Sequence, residues 1–443
     1  MASTRTQYAL VFLALFVPYT YFNHSDGWNQ GIRLAELHSV VIQGTLSIDA
    51  YHQRSGDKAL INGHYYSEKA PAVALMALPS FAVTVMIQRL LGIDPDGPRG
   101  WRASEWIATA ASVGIIAALG GVAFYALLLY RLDMLTAVTG TFLLFLGSLT
   151  WPYATSLFAH GATAGFLSIA LWAALGPPSP RRDYLAGVAA GFAVACEYPG
   201  VFPCAVLGLY LGTTGLARMW RFGAGTIPGA LLISINNYAK TGSPFALSYG
   251  SNANFPEISS GNAFGFALPS SPVMVGLLWG EYRGLFFWCI GLLMAVPGLV
   301  YLFRKERAIA VMVTTTFLVI LLQNAAFYSA FGGNSFGPRY LFPALPFIGL
   351  AAAYGIKQFP ELGLMLTAIS VVVMGMVTAI AIDPAGDVLT PLQSIYLVRI
   401  ETQRFADNLG TLIGLPLWLS LVVPLLFPAV AVWLLLREPR ATA

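Results

Sequence analysis

Apolar stretches recur along almost the whole chain, from Tyr8 to Leu436, with no large polar block between them. Each is close to the ~20 residues that a helix needs to cross ~30 Å of hydrocarbon. The pattern predicts an all-α, polytopic transmembrane bundle of about 12 spans, in a single membrane-embedded domain over residues 1–443. The predicted spans lie near residues 8–22, 104–130, 134–152, 160–176, 184–198, 201–217, 222–238, 284–303, 308–326, 341–356, 361–382 and 412–436.

A cleavable signal peptide is the alternative for residues 8–22. No small-x-small cleavage site follows before Asn23, and this favours a first span that is retained.

Basic residues fall mainly in the short connections on one side of the predicted bundle. This is the positive-inside pattern, and it predicts that both termini are cytoplasmic. The long connections 23–103, 239–283, 327–340 and 383–411 then face the outside. The cytoplasmic connections contain Arg131, Arg181, Arg182, Arg218, Arg221, Arg304, Lys305, Arg307, Lys357, Arg437 and Arg440.

One apolar stretch, Ala70 to Leu91, does not fit this alternation, because a full crossing there would place every later arginine cluster outside. We expect it to form a helix at the outer interface, with a re-entrant helix as the alternative. Residues 30–43 alternate apolar and polar positions at helical spacing and predict a second interfacial helix, ending at Gly44. The first outer loop is therefore expected to be structured.

Composition agrees with a membrane protein, since 57% of the residues are hydrophobic and 10% are charged. The net charge of +4 is explained by the loop arginines and gives no reason to expect nucleic acid as a partner. The three cysteines, Cys196, Cys204 and Cys289, lie in apolar stretches without metal-ligand spacing and are expected to be packing residues. The absence of HExxH, Walker and GxSxG motifs argues against a metalloprotease, an ATP-driven pump and an α/β-hydrolase.

The richest polar segment of the first outer loop is residues 45–71, TLSIDAYHQRSGDKALINGHYYSEKAP. It is either a solvated loop or a polar floor at the membrane surface that carries acid and base groups and binds phosphate. Within it, Tyr66 followed by Lys69-Ala70-Pro71 at the start of an apolar helix resembles the YxxKPP-type element of the GT-C membrane glycosyltransferases, such as aminoarabinose transferases and protein O-mannosyltransferases.

The resemblance covers residues 8–175 as motif and order, with a first span, a large outer loop and a bundle of further spans. Beyond these residues it is architectural, supported by GSPFALSYG at 242–250 and SFGPRYLFPALPF at 335–347. It implies transfer of a sugar from a polyprenyl-phosphate-linked donor to a lipid, glycan or protein acceptor at the outer face of the bacterial cytoplasmic (inner) membrane. Such a reaction needs a carboxylate as base and cations to stabilise the departing phosphate.

The sequence departs from the family where an acidic pair is expected, because Asn29 and Gln30 occupy those positions and amides cannot act as bases. Either the base has moved within the first outer loop or the activity has been lost. Asp49 is our first choice for the base because Ile48 and Ala50 flank it and burial would raise its pKa. Asp57 and Asp26 are the alternatives.

Arg339 is the predicted phosphate ligand, since Gly337-Pro338 precedes it and a guanidinium can bind phosphate with two donors. Lys69 is a second cation, and Arg283 ranks lower because Glu281 could pair with it. Near the outer ends of spans, His160 and Glu197 are candidates for binding sugar or phosphate. The other candidate substrate-binding residues are Tyr66, His64, Glu68 and Tyr249, and a divalent metal held by the clustered acids is an open alternative.

Two other classes of protein fit the span count: a transporter or flippase, and a non-catalytic scaffold. The sequence shows no internal repeat, and its polar residues concentrate in outer loops rather than at helix breaks in the membrane. Both features favour the glycosyltransferase.

Overall fold

A computed structural model of the chain describes residues 3–25 and 27–437. Asp26, one of the predicted bases, therefore lies outside the described residues. Six helices in this part are long and apolar enough to cross a membrane, which confirms a helical membrane bundle, whereas the count of about 12 spans stays a prediction. These six are Ala72–Leu90, Pro98–Arg131, Arg307–Ala325, Arg339–Gln358, Pro360–Ile380 and Leu417–Leu436.

The helices of the first half follow the predicted spans closely. They are α1 Thr4–Tyr21, α2 Trp28–His38, α3 Ala72–Leu90, α4 Pro98–Thr109, α5 Ile115–Arg131, α6 Met134–Phe145, α7 Thr150–Ala154, α8 Ala159–Leu175, α9 Pro180–Cys196, α10 Val201–Thr214 and α11 Leu216–Thr241. A single wider turn at 110–114 joins α4 to α5 in one 34-residue helix. At 1.5 Å per residue this helix is ~51 Å long, so it extends beyond a ~30 Å hydrocarbon core.

The second half contains more interruptions. Its helices are α12 Ser271–Trp279, α13 Leu285–Trp288, α14 Ala295–Lys305, α15 Arg307–Ala325, α16 Leu345–Gln358, α17 Pro360–Ile380, α18 Val398–Glu401, α19 Leu409–Leu412 and α20 Leu417–Leu436. The apolar stretch 284–303, predicted as one span, is a short helix, a 3₁₀ segment and then α14. The Gly291 N–H within that break donates to Ser370 Oγ at 2.8 Å, so a side chain on α17 satisfies a backbone group released by the break.

A β-hairpin in the first outer loop was not part of the all-α prediction. Strands β1 Lys58–Ile61 and β2 His64–Ser67 pair antiparallel around Asn62 and Gly63. Both turn residues have positive φ, 51° and 84°, which is the geometry that an Asn-Gly pair favours in two-residue hairpins. The hairpin matters for the site because Glu68 and Lys69 follow directly after β2.

Side-chain contacts collect the basic connections at one end of the bundle, which we call the arginine end (131–133, 174–183, 214–221, 304–307 and 354–360). Arg131 pairs with Glu306 and donates to the Leu175 carbonyl at 3.1 Å. Lys357 lies 2.7 Å from Asp133, and Arg218 lies 2.9 Å from Asp183. Each contact joins connections that are distant in sequence.

The opposite end, which we call the loop end (23–103, 239–283, 327–340 and 383–411), collects the long connections. The Asn23 N–H donates to the Asp407 carbonyl at 2.9 Å, and Lys240 Nζ donates to the Ser67 carbonyl at 3.1 Å. The residues on either side of α3 contact other parts of the segment 23–103: Lys69, just before the helix, contacts Asp57, and the segment that follows it places Asp96 2.9 Å from His38. That α3 is an interfacial or re-entrant helix stays a prediction, since Ala72–Leu90 is also long and apolar enough to cross a membrane.

Helix α2 occupies the position of the predicted interfacial helix 30–43. A wider turn at 39–43 extends it to Gly44, whose φ of 72° ends it as expected. Residues 30–38 are all buried, so the helix is covered on its polar face as well as its apolar face. Its polar side chains are therefore not exposed to solvent, because neighbouring loop segments pack over them. Ser55 Oγ, for example, donates to the Trp28 carbonyl at 2.8 Å.

Candidate functional site

A cavity of about 340 Å³ opens at the loop end. It is lined by polar residues from seven separated parts of the chain and by a group of apolar and aromatic residues. The polar residues are Asn29, Arg33, Glu68, Lys69, His160, Glu197, Tyr198, Tyr249, Gln323, Arg339 and Tyr340. The apolar and aromatic residues include Leu247, Val201, Phe202, Phe264, Phe266 and Phe327.

Lys69 connects two carboxylates at the base of the hairpin. Its ammonium lies 2.9 Å from Asp57 and 2.7 Å from Glu68, and the side chains of Lys69 and Asp57 are only 15% and 14% exposed. Glu68 also accepts a hydrogen bond from Asn252. Because β2 ends at Ser67, the hairpin fixes the backbone immediately before Glu68 and Lys69.

The two carboxylates next to Lys69 differ in their pKa. Burial raises the pKa of Glu68, and the Lys69 ammonium offsets only part of this effect. Burial also acts on Asp57, but there the charge and hydrogen bond of Lys69, together with the charges of Arg339 and Arg33, outweigh it and lower the pKa. The two negative charges in turn raise the pKa of Lys69 despite its burial, so Lys69 is a permanent cation of the cavity.

Arg339 and Arg33 bring two guanidinium groups to the cavity. Arg339 follows Gly337-Pro338, donates from Nη2 to Tyr340 Oη at 3.0 Å and lies 5.7 Å from the Phe158 ring centroid. Arg33, on α2, donates from Nη1 to the Asn29 carbonyl at 2.9 Å and also to the Asn29 side-chain oxygen. Within residues 3–25 and 27–437, the buried Nε of each arginine has no hydrogen-bond partner.

His160 and Glu197, which both line the cavity, contact each other. His160 Nδ1 lies 2.9 Å from Glu197 Oε2, and the His160 side chain is 6% exposed. The pair arises because α8 begins at Ala159 and the neighbouring α9 ends at Cys196, directly before Glu197. Among the described residues, His160 Nε2 and Tyr198 Oη are buried without a partner.

The structure brings six of the predicted site residues to the cavity: Glu68, Lys69, His160, Glu197, Tyr249 and Arg339. Asp57 contacts the cavity through Lys69. Asn29, at the position where the family resemblance implies an acid, also lines the cavity, so an amide stands where a carboxylate is expected. His64 and Tyr66 are not lining residues, and both lie on β2.

Asp49, our first choice as base, is not among the residues that line the cavity. Its carboxylate lies 2.7 Å from His64 Nδ1 and accepts the Tyr65 N–H at 2.7 Å. Burial by itself would raise the pKa of Asp49, but hydrogen bonds from Ser47, His64 and the Tyr65 backbone lower it to about 2. The side chain is 45% exposed, and the flanking apolar residues do not desolvate it as the sequence argument expected.

Arg283 is buried, but its donors face backbone carbonyls. They reach Tyr282 and Gly333 at 3.1 Å and Phe331 and Pro384 at 3.4 Å. These contacts tie three outer connections together and leave Arg283 outside the cavity lining. The expected pairing with Glu281 is not among them.

The sequence analysis missed Arg33, Tyr198, Gln323 and Tyr340 as lining residues. Arg33 lies on α2, within the predicted interfacial helix 30–43, and no feature of the sequence indicated that this helix lies beside a cavity. Tyr198 is adjacent to Glu197, and Tyr340 to Arg339, so proximity to a predicted residue was the available signal. No group of three or more His, Cys, Asp or Glu side chains in the described part of the chain is arranged to hold a metal ion.

Comparison with solved structures finds the same architecture in ArnT from Cupriavidus metallidurans. The crystal structure of ArnT bound to undecaprenyl phosphate is 16% identical, with a TM-score of 0.50 over 98% of this chain and 69% of ArnT. The apo structure is 17% identical, with a TM-score of 0.54 over 98% of this chain and 73% of ArnT. No protein-family model and no curated protein sequence matches the chain. The likeness confirms the resemblance seen in the first outer loop at the level of the fold: the chain shares the fold of these ArnT structures.

Proposed function

We propose that this protein is a membrane glycosyltransferase that moves a sugar from a polyprenyl-phosphate-linked donor to an acceptor at the loop end. The observation that carries the proposal is the arrangement of Lys69, Arg33 and Arg339 around one cavity that also has an apolar side. The fold shared with ArnT, which was crystallised with undecaprenyl phosphate, supports it.

The unpartnered nitrogen atoms support an anionic ligand. A buried donor without an acceptor costs ~1–3 kcal/mol, so the Nε groups of Arg33 and Arg339 favour a ligand that supplies oxygen atoms. A phosphate offers several acceptor oxygens, and a guanidinium can bind two of them at once. Lys69 adds a third cation, although Asp57 and Glu68 share its charge.

The apolar side of the cavity supports a lipid carrier. Val201 and Phe266 line the cavity and are also 49% and 43% exposed, so apolar side chains extend from the cavity to the outer surface of the bundle. In a membrane that surface would contact hydrocarbon, where a polyprenyl chain could remain while its phosphate enters the polar region. The sugar would then lie between the cations and the wall formed by His160 and Glu197.

The transfer also requires a base for the acceptor hydroxyl. Asp49, Asp57 and Asp26 remain sequence-based proposals for this role, and Glu68 joins them because it lines the cavity and has a raised pKa. The acceptor remains a lipid, a glycan or a protein, and a divalent metal remains an open alternative. From the positive-inside pattern we propose that the loop end faces the outside of a bacterial inner membrane and that both termini are cytoplasmic.

Binding of undecaprenyl phosphate to the detergent-solubilised protein tests the phosphate site. Arg339→Lys keeps the charge but removes the planar fork, so we expect affinity to fall by ~1–3 kcal/mol, which is ~5- to 150-fold. Arg131→Lys, at the arginine end, is the matched control and should leave affinity unchanged. Equal affinity in wild type and Arg339→Lys would remove Arg339 from the site.

Transfer must be separated from transport. Proteoliposomes containing the protein and polyprenyl-phosphate-linked sugars should yield a glycosylated acceptor when membranes of a deletion strain are supplied. Movement of the lipid-linked sugar between leaflets without any glycosylated product would favour a flippase instead.

A further inference from the structure

We propose that His160, oriented by Glu197, is the general base that accepts the proton of the acceptor hydroxyl. The inference rests on the proposed glycosyltransferase function and assigns its missing base to a residue outside the first outer loop. It requires no carboxylate at position 29, where this chain has an asparagine that lines the cavity.

The contact with Glu197 decides which nitrogen of His160 is free. An ionised carboxylate only accepts hydrogen bonds, so the 2.9 Å contact places a proton on Nδ1. In the neutral imidazole the lone pair is then on Nε2. That atom is buried and has no partner in the described part of the chain, and its residue lines the cavity. A lone pair in this position can accept a proton from a bound hydroxyl.

The ring is also held in a fixed orientation. Its centroid lies 5.0 Å from that of Tyr153 in an edge-to-face contact and 5.2 Å from that of Phe342 in a stacked contact. Phe158 stacks on it at 5.6 Å. A base must be held within a narrow range of positions to act efficiently, and these three rings together with Glu197 restrict rotation of the imidazole.

The first-loop carboxylates are less suited to the role. Asp49 has a pKa of about 2 and does not line the cavity, and Lys69 lowers the pKa of Asp57. Glu68 has a raised pKa, but its two oxygens already accept hydrogen bonds from Lys69 and Asn252. His160 Nε2, in contrast, has no hydrogen-bond partner in the described residues, so its lone pair is not shared with another protein group.

Charged groups around His160 link its protonation to the donor. Burial of the ring has the largest effect and opposes the imidazolium, Glu197 stabilises it, and the positive charges of Arg339 and Arg33 oppose it further. A bound donor phosphate would compensate these two positive charges. Proton transfer to His160 would therefore become more favourable once the donor is in place, which couples donor binding to activation of the acceptor.

The proposed step balances as a single displacement. The acceptor hydroxyl oxygen forms a bond to the anomeric carbon while its proton moves to His160 Nε2. The bond between the anomeric carbon and the carrier phosphate oxygen breaks, and its electron pair remains on that phosphate beside Lys69 and Arg339. The imidazolium, stabilised by Glu197, then releases its proton to water.

His160→Gln tests the proposal because it keeps a polar side chain and removes the basic nitrogen. The assay uses lipid-linked sugars extracted from a strain that lacks the gene, with membranes of that strain as acceptor. We expect the turnover rate to fall by ~10²- to 10⁴-fold while affinity for undecaprenyl phosphate stays within ~3-fold of wild type. His24→Gln is the matched control, since His24 is also buried but bonds the Thr378 carbonyl at 2.7 Å and is not a lining residue.

Glu197→Gln provides a second readout, which also serves if His160→Gln fails to fold. Removal of the negative charge disfavours the imidazolium, so we expect the acidic limb of the pH–rate profile to move to lower pH and the maximal rate to fall. A purely structural role for Glu197 would change the amount of folded protein but not the position of that limb.

Turnover within ~3-fold of wild type in His160→Gln would overturn the inference. If Asp57→Asn or Glu68→Gln lost turnover at the same time, the role of base would pass to that carboxylate. These outcomes leave the glycosyltransferase proposal intact as long as Arg339-dependent donor binding and transfer persist. Absence of any transfer by the wild-type protein would reject both proposals together.

Discussion

The two ends of the bundle contain the same kinds of charged residue, but they differ in how those residues are paired. At the arginine end, Arg131 contacts Glu306, Tyr354 and the Leu175 carbonyl, and Tyr354 Oη closes the network on Glu306 at 2.8 Å. At the loop end, Arg33 and Arg339 line a cavity with Nε groups that have no partner in the described residues. The Arg131 guanidinium is satisfied within the protein, whereas those of Arg33 and Arg339 each keep an unpaired donor in the part of the chain that the structure describes.

The difference separates charges that maintain the fold from charges that are available to a ligand. Buried polar groups in folded proteins are almost always paired, since an unpaired donor costs ~1–3 kcal/mol. Several such groups around one cavity therefore identify the position of a missing partner. The arginine end shows what the same fold does with arginines whose partners lie within the protein.

The comparison depends first on the two ends lying on opposite sides of the membrane. We predict that α3 does not cross the membrane, so accessibility reporters at Gly92 and Arg131 should give opposite results: residues on both sides of α3 contact the first outer loop, and Arg131 belongs to the arginine end. We expect all-or-none labelling, with Gly92 outside and Arg131 inside. An inward-facing Gly92 combined with an outward-facing Arg131 would reverse the orientation.

The next largest effect that we expect is on the free energy of unfolding, when a buried lysine at the loop end is compared with an exposed one at the arginine end. Lys69→Met leaves Asp57 and Glu68 buried without their shared cation, so we expect a loss of ~3–5 kcal/mol in the free energy of unfolding. Lys357→Met is the matched control, because Lys357 and Asp133 are 52% and 42% exposed. Exposed ion pairs contribute ~0–1 kcal/mol, and the control should change stability by no more than that.

Unfolding of both variants in the same detergent measures this contrast. A similar small effect of the two substitutions would show that Asp57 and Glu68 do not depend on Lys69. Bound undecaprenyl phosphate should stabilise the wild type and the Lys357→Met variant, and it should stabilise the Lys69→Met variant less.

Asp49 at the loop end and Asp133 at the arginine end should contribute similarly to the free energy of unfolding. This is the smallest of the effects that we expect. Burial raises the pKa of Asp49 and of Asp133, but hydrogen bonds to each carboxylate outweigh this effect. The pKa of each is lowered from 3.8 to about 2. Their contribution to stability is therefore fully present above about pH 4 and is lost as the pH falls towards 2. Asp49→Asn and Asp133→Asn should each cost ~1 kcal/mol or less at pH 7, because both side chains are almost half exposed and solvent screens them.

Unfolding measured from pH 7 to pH 2 checks this expectation, since each variant should approach the wild type at low pH. The same Asp49→Asn protein also tests our sequence-based choice of base. A normal fold with turnover reduced ~10²-fold would return the role to Asp49.

The sequence by itself determined the membrane environment, the grouping of polar residues in a few long connections and several lining residues. These features are local: hydrophobic length specifies a helix in a bilayer, and the position of arginines specifies which connections share a side. Lys69 was found through its motif, and Arg339 through the Gly-Pro that precedes it. His160 and Glu197 stood out because polar residues near the ends of apolar helices need partners. The β-hairpin could also have been predicted, because Asn62-Gly63 is a strong turn signal.

Only the tertiary structure decided which of these residues meet. Asp49 and Lys69 lie in one loop segment, yet Asp49 forms its contacts with His64 and Tyr65 and only Lys69 lines the cavity. Arg283 contacts carbonyl oxygens of neighbouring connections, whereas Arg33, on α2, lines the cavity. The pairing of His160 with Glu197 depends on the packing of α8 against α9. Burial, pKa and hydrogen-bond partners are properties of neighbours in space, and a single sequence specifies these only through the complete fold.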